Sequence, residues 1–288
     1  MKSIKSSFLS VFLVLSLVTC AQDMSEVQIT ATKMSGNVYM LTGAGGNIGV
    51  SVGDDGVFII DDQFAPVTAK ILESIRKLSD KPIQFLVNTH YHGDHTGGNE
   101  NMANEGATIM AHDNVRKRLE ESNDASAGLP VITFNDQLSL HINGEKVSVF
   151  HVDNAHTDGD ALIYFTESNV LHTGDTYFNG RYPYIDLESG GSVDGYIAAA
   201  ERTSMLIDDD TKIIPGHGAA SNKAEFKSFL KMLKTLRTII SDEIKKGKTE
   251  DEVVNNTFLT KTYDDLNYSW RFITSEKIRR TFYRSLKD

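Results

Sequence analysis

Short apolar runs alternate with turn-forming residues along the first part of the chain. Residues 38–41, 47–50 and 57–60 are apolar runs of strand length, and the glycine-rich segments 43–46 and 53–56 separate them. This spacing predicts a β-meander.

A helix follows over residues 65–78, where Ile71, Ile75 and Leu78 recur at helical spacing. The apolar run 83–88 is typical of a buried strand. Together with strand 57–60 and the helix, it predicts a βαβ crossover.

The remaining pattern predicts a second series of strands and helices. Helices are predicted at 99–105, 114–121, 193–206, about 222–247 and about 271–287, and strands at 108–110, 137–141, 146–152, 161–165, 169–172 and 212–214. Two β-rich halves, each followed by helices, predict an α/β (α+β) fold with two packed sheets and outer helices. We therefore expect a four-layer αββα sandwich of mixed sheets, in a single domain over residues 22–288.

The N-terminal segment has the pattern of an export signal. Lys2 and Lys5 precede the apolar run 8–18, which is too short to cross a bilayer as a stable anchor. We expect export to a bacterial periplasm and no transmembrane helix in the mature chain.

Two cleavage positions compete in this segment. Cleavage after Ala21 places the small residues Thr19 and Ala21 at the site and makes residues 1–21 a signal peptide. Cleavage before Cys20 instead yields a lipid anchor, for the outer membrane, although Thr19 is a poor residue before a lipoprotein cysteine. The small-residue pattern favours soluble export.

The composition of the chain limits its substrate class and the types of metal ligand that it offers. The formal net charge of −10 disfavours nucleic acid as a partner and leaves a small-molecule substrate. Cys20 is the only cysteine, so the mature chain has neither a disulfide nor a thiolate ligand. Any metal must be held by nitrogen and oxygen. The oligomeric state is left open.

A histidine cluster is the main candidate for such a site. His90-Tyr91-His92-Gly93-Asp94-His95 holds three of the nine histidines of the chain and follows the predicted strand 83–88. In a loop leaving a strand, the first two histidines can bind one ion, while Asp94 and His95 face a second. The alternative is a polar loop that happens to be rich in histidine.

Three later segments combine a ligand-type residue with glycine at the end of an apolar strand. They are residues 155–160 with His156, residues 172–176 with Asp175, and residues 215–218 with His217. Glycine lets the backbone bend close to an ion, and the strand end gives the ligand a rigid base.

In this order, the motifs resemble those of the metallo-β-lactamase superfamily over roughly residues 35–220. The resemblance implies the αββα fold and two zinc ions, with iron or manganese as alternatives. It also implies that the first ion is bound by His90, His92 and His156, and the second by Asp94, His95 and His217. The aspartate that bridges both ions is Asp175.

The implied activity is that of an exported, β-lactamase-like metallohydrolase. A hydroxide held by the two zinc ions, oriented by the catalytic residue Asp94, attacks the carbonyl of a β-lactam amide, lactone, ester or thioester. The missing cysteine excludes β-lactamases with a cysteine ligand, and Asp175 as a bridge resembles the thioesterase and lactonase branches. The alternatives are an iron-dependent oxidoreductase of the sulfur dioxygenase type and the phosphodiesterase or nuclease branch.

Other residues have supporting roles to be tested. Asp61 or Asp62 matches the family's early aspartate, which orders the histidine loop. The alternative is that this aspartate only caps a turn. Asp158 and Asp160 are either acceptors for His156 or turn residues. We expect the remaining histidines to be core or surface residues: His112, His141, His151 and His172.

The aromatic loop 177–186 follows Asp175 directly. We predict that it forms a substrate wall, with Arg181, Tyr182 and Tyr184 as substrate-binding residues and Arg181 facing a substrate carboxylate. The alternative is that these rings only pack over a sheet edge.

Overall fold

The strands of the protein form two mixed β-sheets in the computed structural model, which describes residues 24–122 and 128–287. The predicted signal peptide and Cys20 lie outside the described residues. The first sheet has the order β1-β2-β3-β4-β5-β6-β7 and consists of Thr30–Ser35, Val38–Thr42, Ile48–Gly53, Gly56–Ile60, Ile83–Val87, Thr108–His112 and Ile132–Phe134. The second has the order β12-β11-β10-β9-β8 and consists, from β8 to β12, of Gln137–Ile142, Glu145–His151, Ala161–Phe165, Val170–His172 and Lys212–Ile214.

Helices cover the outer faces of the two sheets. From α1 to α9 they are Thr68–Arg76, Gly93–Thr96, Asn99–Asn104, Asp113–Glu121, Val193–Leu206, Lys223–Lys245, Glu250–Asn255, Lys261–Asp264 and Ser275–Lys287. The predicted αββα sandwich is confirmed. Among the described helices, none is long and apolar enough to cross a membrane.

The pairing of the first sheet follows the predicted meander and crossover. Strands β1 to β4 are antiparallel neighbours, and β4 pairs in parallel with β5 after the helical crossover. The predicted helix 65–78 begins as a 3-10 turn at Ala65–Val67, which contains Pro66, and continues as α1. Proline suits a first turn because its missing N–H would have no partner there.

Five of these strands and helices lie outside the predicted set, because their sequences carry weak periodicity; one of them is the four-residue helix α2 within the histidine motif. Strand β1 is a largely exposed edge strand, and the three-residue β7 is only partly buried, so neither shows a clear apolar alternation. Helices α7 and α8 are single short turns or little more. The last helix begins at Ser275 rather than at about residue 271, and residues 268–272 therefore form an irregular segment before it.

Apolar side chains from both sheets meet in the central core. Phe58 on β4 and Phe165 on β10 are fully buried there, with ring centroids 6.0 Å apart. Because the ligand-bearing loops leave strands of both sheets, this packing sets the distance between them.

Replacing Phe58 by alanine should lower the free energy of unfolding by about 3–5 kcal/mol, since it leaves a cavity between the sheets. Chemical denaturation of the two proteins measures the difference. Phe258→Ala is the matched control, because Phe258 is 81% exposed and should change stability by less than about 0.5 kcal/mol. Equal effects at both positions would contradict the central role of Phe58.

Candidate metal centre

The seven predicted ligands lie on loops that leave strands of both sheets at one edge of the sandwich. The histidine motif runs from the end of β5 into the short helix α2. His156 lies between β9 and β10, Asp175 follows β11, and His217 follows β12. The tertiary structure thus brings together residues that are more than 120 positions apart in the chain.

The ligand atoms form two groups, within each of which all atoms lie within 4.8 Å of one another. The first group contains His90, His92, His156 and Asp175, and the second contains Asp94, His95 and His217. The Asp175 carboxylate stands between them. Its Oδ2 lies 3.6 Å from His156 Nε2, and its Oδ1 lies 3.1 Å from His95 Nε2 and 3.5 Å from His217 Nε2.

In the first group, the outer ring nitrogens of two histidines have protein partners. His156 Nδ1 lies 2.8 Å from the Tyr184 carbonyl oxygen, and His92 Nε2 lies 3.0 Å from Asp186 Oδ2. The inner nitrogens, His92 Nδ1 and His156 Nε2, then face each other at 2.9 Å. Such outer contacts fix the ring orientation and the tautomer of a metal-binding histidine.

In the second group, Asp61 holds the His95 ring. Its Oδ2 lies 2.7 Å from His95 Nδ1, while its Oδ1 accepts a 2.7 Å hydrogen bond from the backbone N–H of Thr89. The neighbouring Asp62 accepts from the Gly98 N–H at 2.9 Å. Both aspartates therefore order the histidine loop. The backbone N–H of Asp62 donates to the His95 carbonyl at 3.0 Å, but of the two side chains only that of Asp61 contacts the His95 ring.

Asp160 orders the loop that carries His156. Its carboxylate accepts hydrogen bonds from the backbone N–H groups of His156 and Thr157, while Asp158 forms a bidentate pair with Arg118. Burial raises the pKa of Asp160 to about 7. Asp160 thus supports His156 through the backbone, whereas the His156 ring is held by the Tyr184 carbonyl.

Two glycines make room for the ligands. A Cβ at Gly46 would lie 2.1 Å from Cε1 of His95, and a Cβ at Gly216 would lie 2.1 Å from Oδ1 of Asp175. The sequence pattern predicts only a turn at Gly46. Its role in the site has no local signal, because His95 is 49 positions away.

Three buried polar atoms at the centre test whether the residues fit a metal. Among the described residues, His90 Nε2, His95 Nε2 and Asp175 Oδ1 are buried without a hydrogen-bond partner. Each such atom costs about 1–3 kcal/mol unless it is satisfied. Divalent cations satisfy such atoms, and this nitrogen and oxygen donor set suits zinc, iron or manganese.

In the first ligand group, the pKa values favour the neutral histidine rings that bind a metal. Burial lowers the pKa of His90 well below its usual value and that of His156 to about 4, so both rings are neutral at pH 7. Burial alone would raise the pKa of Asp175, but His217 and His95 hold it well below the usual range. In turn, Asp175 and Asp94 raise the pKa of His217 to about 9 despite its burial.

The remaining histidines lie outside both groups. His172 is buried, with Nε2 3.0 Å from the Asn47 carbonyl oxygen and Nδ1 accepting from the Gly174 N–H. His112 stacks on His151 at 3.9 Å, and His141 is exposed on β8. These positions agree with the expected core and surface roles.

A cavity of about 1290 Å³ opens over the two ligand groups. Arg181 and Tyr184 line it, as expected for the predicted substrate wall. The prediction for Tyr182 is wrong: this side chain is fully buried, and its hydroxyl donates to Asp264 Oδ1 at 2.7 Å. Trp270 and Phe272 also line the cavity, although no periodic signal in the sequence points to them.

Asp61→Asn should weaken metal binding by about 10- to 100-fold, because the His95 ring loses the carboxylate that orients it. Competition with a chromogenic chelator measures the affinity. Asp80→Asn, at an exposed position, removes the same charge and should leave the affinity unchanged. An equal loss in both variants would mean that net charge, rather than the position of His95, is responsible.

Two known proteins are similar to this chain over part of their length. The chain is 23% identical over 227 residues to the 2,4-dinitroanisole O-demethylase subunit alpha of Nocardioides sp., covering 77% of this chain and 67% of that protein. It is 28% identical over 158 residues to the hydroxyacylglutathione hydrolase of Pelagibacter ubique, covering 53% and 59%. The chain thus spans roughly three fifths to two thirds of the length of these relatives.

A solved structure supports the fold. The metallo-beta-lactamase from Pontibacter korlensis superposes with a TM-score of 0.64 at 19% identity, covering 72% of this chain and 99% of that one. The family model of the metallo-beta-lactamase superfamily matches residues 41–217, which include all seven predicted ligands. The chain belongs to the metallo-beta-lactamase superfamily.

Proposed function

We propose that this chain is a dizinc hydrolase that attacks a carbonyl carbon in a β-lactam amide, lactone, ester or thioester. The observation that carries the proposal is the Asp175 carboxylate, which faces one ligand group with each oxygen at the base of a large cavity. Zinc ions held by the histidines and aspartates of the two ligand groups would activate a water molecule near neutral pH and polarise the scissile bond.

In this proposal, Asp94 orients the attacking water. Its Oδ2 lies 3.2 Å from His217 Nε2, and its side chain lines the cavity and is 28% exposed. Burial would raise the pKa of Asp94, but His95 and His217 hold it below the usual value. The carboxylate is therefore ionised at neutral pH and accepts a proton or hydrogen bond from the nucleophile.

The sequence relative and the superposed structure support different carbonyl substrates. The name hydroxyacylglutathione hydrolase indicates thioester hydrolysis in that relative, and the superposed fold is that of a metallo-beta-lactamase. We rank a β-lactamase-like hydrolase first because the N-terminal segment has the pattern of an export signal and β-lactam targets lie in the periplasm. The acidic net charge speaks against a nucleic acid substrate.

Removal of the metal should abolish hydrolysis, and zinc should restore it. The zinc-loaded chain is screened against β-lactams, lactones, thioesters and phosphoesters before chelation, after chelation and after zinc is added back. Hydrolysis that persists in metal-free protein would contradict the proposal. So would protein that binds iron in its native host and consumes oxygen, which would favour the dioxygenase alternative.

In the same assay, Asp94→Asn should reduce kcat by about 10²- to 10⁴-fold through loss of the proton acceptor. Asp209→Asn is the control, because Asp209 is exposed and remote from the cavity. Equal rates in the Asp94 variant and the unchanged chain would remove Asp94 from the proposed mechanism.

We also propose that the chain is exported, on the basis of the pattern in residues 1–21. When the full chain is expressed in a Gram-negative bacterium, the mature protein should begin at Gln22, as measured by mass spectrometry of the periplasmic fraction. A lipid-modified Cys20 would indicate the anchored form instead. Unprocessed protein in the cytoplasm would contradict export altogether.

A further inference from the structure

Residues 268–272 precede the last helix and lie outside the region that the family model matches, and three of them, residues 270–272, line the cavity. Two hydrogen bonds attach them to the loop after Asp175. The Tyr182 N–H donates to the Tyr268 carbonyl, and the Trp270 indole N–H donates to the Tyr182 carbonyl, each at 2.9 Å. The buried Tyr182 side chain anchors the same contact through Asp264. Two segments far apart in sequence thus form one wall.

Aromatic rings in this wall extend from one ligand group to the other. Trp270 lies 6.1 Å from the His217 ring and 5.8 Å from Phe272. Phe272 in turn lies 5.2 Å from Tyr184, which stacks on His92 at 5.6 Å. Phe272 is 49% exposed, although large apolar side chains are usually covered. The wall therefore offers flat apolar surface directly above the metal centre.

The same wall carries positive charge in an acidic protein. The Arg181 guanidinium lies over the Trp270 ring, 5.2 Å from its centroid, and Arg271 also lines the cavity. Within the described residues, Arg181 takes part in no salt bridge, and its side chain is half-buried at the cavity. Of the carboxylates that line the cavity, Asp94, Asp175 and Asp186 contact histidines, and Glu188 is exposed near Tyr184.

We propose that this wall is a substrate subsite for an organic anion that carries an aromatic or similarly flat apolar group. The flat group packs against Trp270, Phe272 and Tyr184, and the anionic group meets the guanidinium of Arg181. The inference rests on the proposed hydrolase function and deepens it. It assigns substrate selection to a segment beyond the matched domain.

Trp270 provides a direct readout, because it is the only tryptophan of the chain. Dissociation constants are measured by tryptophan fluorescence on the zinc-loaded chain with three probes that contain no scissile bond. They are 3-phenylpropane-1-sulfonate, the neutral 3-phenylpropan-1-ol and the aliphatic propane-1-sulfonate. We expect the aromatic sulfonate to bind at least about tenfold more tightly than either of the others, since a charge-assisted hydrogen bond is added to ring packing.

Two variants separate the contributions. Arg181→Gln should remove the preference for the sulfonate over the alcohol, and Phe272→Ala should weaken both aromatic probes while leaving propane-1-sulfonate unchanged. Lys231→Gln, on the exposed face of α6, removes the same charge as Arg181→Gln and should retain the preference. Absence of the preference, or its survival in Arg181→Gln, would overturn the proposal.

The two proposals fail in different ways. A zinc-loaded chain that binds the aromatic sulfonate through Arg181 but hydrolyses no carbonyl substrate keeps the subsite and loses the hydrolase function. A chain that hydrolyses such substrates without any dependence on Arg181 or Phe272 keeps the function and loses the subsite.

Discussion

The contact between Asp61 and His95 is the interaction on which the metal centre depends. Asp61 follows β4, adopts a positive φ of 61°, and joins the backbone of Thr89 to the His95 ring. A non-glycine residue in this conformation costs about 1 kcal/mol or more and persists where its surroundings hold it. Here three short contacts to a fully buried carboxylate do so, from the Thr89 N–H, the Thr89 hydroxyl and the His95 ring, and they set the histidine loop relative to the first sheet.

Similar contacts hold two other histidines of the centre. The Tyr184 carbonyl holds His156, and Asp186 holds His92, from the loop that follows β11 of the second sheet. Each contact occupies an outer ring nitrogen and turns the other toward the interior, where burial keeps His156 neutral. The centre is therefore preorganised by groups that lie outside the two ligand groups. For this reason the loop 177–186 serves both the metal ligands and the cavity wall.

Tyr182 shows why the composition of a loop does not decide which of its rings face a cavity. Its aromatic ring and its position beside Arg181 favoured a substrate contact, but it is buried and links residues 268–272 to the loop after Asp175. Aromatic residues in a loop carry no periodicity that separates an inward ring from an outward one. Trp270 and Phe272 could not be predicted for the related reason that a distant segment folds over the cavity.

The sequence by itself determined the fold class and most strands, because buried strands require apolar runs whose length and spacing are local properties. It also indicated the seven candidate ligands, since the histidine motif followed in order by glycine-flanked His156, Asp175 and His217 resembles the motifs of the metallo-beta-lactamase superfamily. Only the tertiary structure decided that the side chain of Asp61 rather than that of Asp62 contacts the His95 ring, that Gly46 makes room for this ring, and that residues 268–272 form a wall. These features depend on distances between segments far apart in the chain, and the packing of the two sheets sets those distances.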